Sequence, residues 1–290
     1  MRSSCIVALA FLAGCGTRPQ NASFHLSVQD ANRELKVMQS ERKPLDRPVV
    51  VIDGYLDPGL GSAVVSGWVR KLTPDENQVI TVNLLSCTNF DACRQKIVAA
   101  VEAAFPTGDR DDTCEVDVIG LSMGGLAARY AALPECFEAL ESSAADSTAD
   151  DGPIDVDPAD AQLPRPKRLN IARLFTLSSP HLGATMADVP TYMFIATQRD
   201  MRRGSPFLKR LNDPAHAPDY AIIPYVRLAD LTIGEQNAAP PGQTPIWLPK
   251  GWLDSAHAGV VMDPRIAADV CRRLRGEPTF VTEPREPLPD

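Results

Sequence analysis

Ser122 lies in Gly120-Leu121-Ser122-Met123-Gly124, after the strand-forming run Glu115-Val116-Asp117-Val118-Ile119 and before Gly125-Leu126-Ala127-Ala128-Arg129-Tyr130-Ala131-Ala132, a helix-forming run of small residues. A serine hydroxyl is a weak nucleophile unless a base takes its proton. A tight strand-to-helix turn exposes that hydroxyl at the carboxyl end of a sheet, and flanking glycines give room for the strained backbone. The turn also sets the amide of Met123 at a helix N-terminus, where it can stabilise a developing oxyanion. The spacing predicts a nucleophile elbow. A phosphate-binding turn is disfavoured, because neither G-x-G-x-x-G nor G-x-x-x-x-G-K-[ST] occurs in the chain.

A serine nucleophile needs a base, and the base needs an orienting acid. Downstream of Ser122 the histidines are His181, His216 and His257. His257 sits in the small-residue loop Asp254-Ser255-Ala256-His257-Ala258-Gly259, just before the last helix pattern, where an elbow fold places its base. His216 is flanked by prolines and reads as a surface residue. His181 follows a strand and reads as a residue lining the site. For the acid, Asp230 ends the run Tyr225-Val226-Arg227-Leu228-Ala229. Asp254 is only three residues from His257, and Asp219 precedes a strand rather than ending one, so Asp230 is preferred. The second oxyanion donor is expected from the loop after the first core strand: the amide of Tyr55, with Gly54 allowing close approach. A simple turn there is the alternative.

Positioning these residues takes an alternation of strands and helices. Pro48-Val49-Val50-Val51-Ile52 and Val79-Ile80-Thr81-Val82-Asn83 read as strands, as do Ile171 to Leu177 and Tyr225 to Ala229. Pro245-Ile246-Trp247-Leu248 is a further apolar run ahead of His257. Helices are expected over Ser62 to Leu72, Phe90 to Phe105 and Asp263 to Leu274, with a short one from Leu26 to Met38. The predicted fold class is α/β, a mostly parallel central sheet with helices on both faces, spanning residues 47–275. Within it, 141–168 is rich in Asp, Ser, Ala and Pro and reads as a mobile acidic insertion. Residues 184–223 carry scattered aromatics and methionines, which fit either a cap over an apolar pocket or ordinary helical packing. The proline-rich tail 276–290 is expected to be loose.

The chain has 290 residues, 44% of them hydrophobic, which is enough for one large domain. Its formal charge of −8 and lack of a basic stripe exclude a nucleic-acid partner. Residues 1–14 read as a targeting segment: Arg2, a short apolar run from Ile6 to Leu12, then Ala13-Gly14-Cys15. This resembles a bacterial lipoprotein signal, which implies lipidation of Cys15, a tether over 15–46, and a cell-envelope location with the outer membrane favoured. Of the 7 cysteines, Cys87 and Cys93 lie on one expected loop and are the best candidates for a bridge. With only 4 histidines and no zinc-site spacing, neither a metal nor a cofactor is expected.

The segment from Gly120 to Tyr130 resembles the elbow of α/β-hydrolase lipases and esterases. Ser178-Ser179-Pro180-His181-Leu182-Gly183 resembles the Thr-Pro-His-x-Gly segment of the same bacterial group. The resemblance implies a serine hydrolase of carboxylic esters acting through an acyl-enzyme, with Ser122, Asp230 and His257 as triad and the Tyr55 and Met123 amides as oxyanion hole. Its implied partners are an acyl-ester or lipid substrate and, through the anchor, a membrane. Two departures stand out: Asp53-Gly54 where these lipases carry His-Gly, and Leu121 where histidine is common. No calcium site is expected, because Ala258, Gly259 and Val260 follow the base where some relatives bind calcium through an Asp. The same triad would serve an acyltransferase, and Asp53 is the feature that would fit a noncatalytic envelope lipoprotein of this fold.

Overall fold

Val49–Ile52 is a run of four β-branched residues, all buried, and such runs form inner strands of parallel sheets covered on both faces. A computed structural model of the chain describes residues 19–134, 166–188, 196–251 and 255–289, and shows this run as β1. The other strands are β2 (Val79–Val82), β3 (Val116–Leu121), β4 (Ile171–Leu177), β5 (Ala221–Arg227) and β6 (Ile246–Leu248). They form one sheet in the order β2-β1-β3-β4-β5-β6, and every pairing is parallel.

Strand alternation divides the core in two. Val50, Ile52 and Val118 face the helices α3 (Phe90–Ala104) and α4 (Met123–Ala131), meeting Ile97, Val101 and Leu126. Val49, Val51, Ile119 and Leu121 face the opposite layer and meet Val65 and Val69 of α2 (Leu60–Arg70). The C-terminal helix, Pro264–Leu274, lies in that same layer and contributes Ile266 and Val270. Each fully buried aliphatic side chain contributes about 1.5–3 kcal/mol, so the two layers lock the sheet between them. An N-terminal helix, α1 (Val28–Ser40), packs outside this layer through Ala31 and Met38 against Ala268 and Cys271. A parallel sheet covered on both faces, with a serine turn between a central strand and its helix, is the α/β-hydrolase fold.

Several expectations are corrected. β5 begins at Ala221 rather than Tyr225, because Pro224 sits inside the strand. β6 pairs only from Tyr225 onward, so the N–H that proline lacks breaks no ladder bond on that side. Residues 276–289 are tied down rather than loose. Val281 bridges Phe24, Thr282 N–H donates to Ser23 O at 2.9 Å, and Trp247 Nε1 donates to Pro287 O at 2.9 Å. Cys87 and Cys93 are free thiols, not a bridge, and burial, then Cys87, pushes the Cys93 thiol up. In 184–223, Met201, Phe207, Leu208 and Leu211 are buried in the core layer of α3 and α4, so the described residues fit the packing alternative. Residues 1–18, with Cys15, and 135–165, covering most of the expected insertion, lie outside the described residues. Arg94 ties Leu133 to Pro166: its guanidinium donates to Leu133 O at 2.7 Å and Pro166 O at 3.1 Å.

Candidate active site

β3 ends at Leu121 and α4 begins at Met123, so Ser122 alone makes the turn. Its backbone, at φ 49° and ψ −119°, lies in a region that costs a non-glycine residue about 1–3 kcal/mol. Close packing holds that strain. A Cβ on Gly120 would lie 2.5 Å from Gly125 Cα, and one on Gly124 would lie 2.5 Å from Ile52 O. The first turn of α4 therefore rests directly on the end of β1. The Ser122 N–H donates to Leu177 O at 2.9 Å, which ties the turn to β4 as well.

His257 comes from a short helical turn, Ala256–Gly259, whose N-cap Ser255 accepts from the Ala258 N–H. Its Nε2 is 3.1 Å from Ser122 Oγ, and its Nδ1 is 2.9 Å from Asp230 Oδ2. A carboxylate only accepts, so Nδ1 carries the proton and Nε2 is left to accept from the serine. Asp230 follows Ala229, whose φ of 61° reverses the chain after β5. The acid is 1% exposed, and its second oxygen accepts from the Thr232 and Ile233 amides at 3.1 and 3.3 Å. Burial pulls the Asp230 pKa upward. The bond and charge of His257 and the Ile233 amide outweigh it, and the net value lies below the ordinary one.

Tyr55 and Gly54 border the same cavity as Ser122. Gly54 is close enough that a Cβ there would lie 3.2 Å from Ser122 Cβ. Among the described residues, neither the Tyr55 nor the Met123 N–H donates to a backbone acceptor outside a helix or strand. The cavity is about 390 Å³, with walls that include Leu60, Val64, Leu121, Val261 and Met262. Leu60 and Met262, at its mouth, are 72% and 66% exposed. Among the described residues, no lysine or arginine lines it. Its carboxylate, Asp57, is turned toward the amides of Gly59, Leu60 and Gly61.

The structure thus brings Ser122, Asp230 and His257 together, with Tyr55 and Met123 beside them. His181 is a correction: it is fully buried away from the cavity. Arg129 donates to its Nδ1 at 3.2 Å, and its Nε2 lies 3.1 Å from Thr176 Oγ1. His216 is half-buried, with Nδ1 2.8 Å from Arg210 O. Asp219 is exposed before β5, at the far end of the sheet from Ser122, and Asp254 lies outside the described residues. Sequence reasoning missed Asp57 and Asn83. The N-cap of α2 is Gly59, in a left-handed conformation, and Asp57, two residues before it, accepts the Gly59, Leu60 and Gly61 amides. Ser178, the first residue of the Ser178–Gly183 segment, takes a φ of 49°.

No protein-family model and no curated protein matches the chain. Among solved structures it is similar to the mature lipase BlEst2 of Bacillus licheniformis, at 13% identity and a TM-score of 0.49, over 83% of this chain and 95% of that one. It is also similar to Aspergillus fumigatus lipase B, at 12% identity and a TM-score of 0.49, over 97% of this chain and 64% of that one. A third similarity is to phospholipase PlaB of Legionella pneumophila, at 11% identity and a TM-score of 0.47, over 80% and 59%. The chain spans less than two thirds of the latter two.

Proposed function

We propose that the protein is a serine hydrolase of carboxylic esters. The observation that carries the reading is the continuous hydrogen-bonded path from Ser122 Oγ through His257 to the buried Asp230 carboxylate. His257 Nε2 takes the serine proton as Oγ attacks the ester carbonyl carbon. Asp230 holds the ring and stabilises the imidazolium that forms. The Tyr55 and Met123 amides receive the oxyanion. His257 then gives its proton to the leaving alkoxide, which departs as the alcohol and leaves an acyl-Ser122 ester. Water, deprotonated by the same nitrogen, attacks that ester and releases the acid.

The apolar walls, with no lysine or arginine among the described lining residues, favour an uncharged acyl chain in the cavity. A lipidated Cys15 would hold the enzyme at the cell envelope, with the outer membrane favoured, and bring it to acyl-lipid substrates. The test is hydrolysis of p-nitrophenyl butyrate by protein lacking residues 1–15, with and without added alcohol. Release of butyrate that requires Ser122 supports the hydrolase. Butyryl transfer to the alcohol in preference to water would move the assignment to an acyltransferase, and no turnover by folded protein would overturn both.

A further inference from the structure

Asp53 is fully buried at the end of β1, directly before Gly54. Its two oxygens face two donors. Oδ1 accepts the Ser62 N–H at 3.1 Å, in the first turn of α2, and Oδ2 accepts Asn83 Nδ2 at 3.0 Å. The same Asn83 nitrogen donates to Asp57 O at 2.9 Å, and Asn83 Oδ1 accepts from the Leu85 N–H at 2.9 Å. Asp57 accepts the Gly59, Leu60 and Gly61 amides at 2.9, 2.8 and 3.0 Å. The loop between β1 and α2 is therefore held by two carboxylates and one amide side chain. Inside it the backbone is contorted, with Leu56 at φ 56° and Gly59 at φ 102°.

The donors on both sides of Asp53 demand a side chain that accepts twice. A carboxylate does so, whereas a neutral histidine offers one acceptor and an asparagine pairs one acceptor with an unwanted donor. Carboxylate charge also suits the amino end of α2. We infer that Asp53 is a positioning residue: through Asn83, Asp57 and the start of α2 it holds the loop that presents the Tyr55 amide to the oxyanion. This rests on the hydrolase reading of the site. It also gives Asp53 a role of its own in an active enzyme, where the sequence alone left it as a departure.

The test compares full-length wild type with Asp53→Asn and, separately, Asn83→Ala, using p-nitrophenyl butyrate kinetics, thermal melting and inhibition by butylboronic acid. The boronic acid adds to the serine as a tetrahedral anion and so reports oxyanion binding directly. Removing one oxyanion donor lowers kcat by about 100- to 1,000-fold, and a displaced donor should fall near the lower end. The expected result is a kcat loss of about 100-fold, a KM within about twofold of wild type, and a boronic acid Ki raised by the same factor as kcat falls. A merely structural role would not raise Ki in step with kcat. If Asp53→Asn fails to fold, Asn83→Ala, which keeps the buried carboxylate and its Ser62 bond, carries the comparison. Turnover within about threefold of wild type, or a kcat loss with unchanged Ki, would overturn the positioning role alone. Wild type that neither turns over nor binds the boronic acid would overturn the hydrolase reading, and this role with it.

Discussion

Replacing Gly124 with alanine would put a methyl group where the chain has no gap. Its Cβ would lie 2.5 Å from Ile52 O and 2.6 Å from Asp53 O. Both atoms are backbone of β1 and its extension, so neither can swing aside. A carbon–oxygen contact needs about 3.3 Å, so the start of α4 must retreat by roughly 0.8 Å. That movement carries Ser122 and the Met123 amide with it. Overpacking of this kind costs about 1–3 kcal/mol, which for a chain this size lowers Tm by about 2–5 °C. A displacement near 1 Å at a reacting group costs on the order of 100-fold in rate. The assay is thermal melting together with kcat/KM for p-nitrophenyl butyrate. Gly67, in the middle of α2, is the control: a Cβ there meets nothing within 4 Å, so Gly67→Ala should stabilise by about 0.5–1 kcal/mol and leave activity alone. A Gly124→Ala protein with wild-type Tm and kcat/KM within about threefold would refute the claim that direct contact of α4 with β1 sets the elbow.

Two further outcomes follow from the charges around the site. Asp230→Asn keeps the shape of the acid but can offer an amide donor to His257 Nδ1 and so favours the wrong tautomer; kcat should fall by about 10³–10⁴ with KM little changed, and stopped-flow kinetics of ester cleavage would read it. His181 is fully buried, and desolvation, then the Arg129 charge, holds its pKa well below the ordinary value. The unfolded chain therefore takes up a proton below about pH 6.5 that the folded chain refuses, and stability should fall on acidification by up to about 1.4 kcal/mol per pH unit. His181→Asn should show a shallower decline of Tm between pH 7 and 5 than wild type, and equal slopes would count against the buried neutral imidazole.

What could be read from the sequence was mostly local. The elbow was legible because a glycine-flanked serine, the strand before it and the helix after it lie within one short run. Asp230 and His257 were legible as positions, one at a strand end and one just before the last helix, although what brings them to Ser122 is the order of strands in the sheet. The start of β5 was hidden because Pro224 argues against a strand unless the short reach of β6 is known. His181 looked like a site residue because it follows β4. Only Arg129 on α4 and Thr176 on β4 show that its ring is turned into the core. The tail looked loose from its prolines, and its partners, Ser23 and Trp247, lie far off in the chain. Asp53 was visible as an oddity, but its donors come from residues 62 and 83, and no local pattern joins them.

The most direct measurement of the central claim is covalent labelling of the folded protein with a fluorophosphonate probe, mapped by mass spectrometry, beside Ser122→Ala and His257→Ala. An activated serine should give a single adduct on Ser122, absent from Ser122→Ala and slower by about 10³-fold or more in His257→Ala. A folded wild type that takes up no probe, or an adduct that persists in Ser122→Ala, would contradict the account.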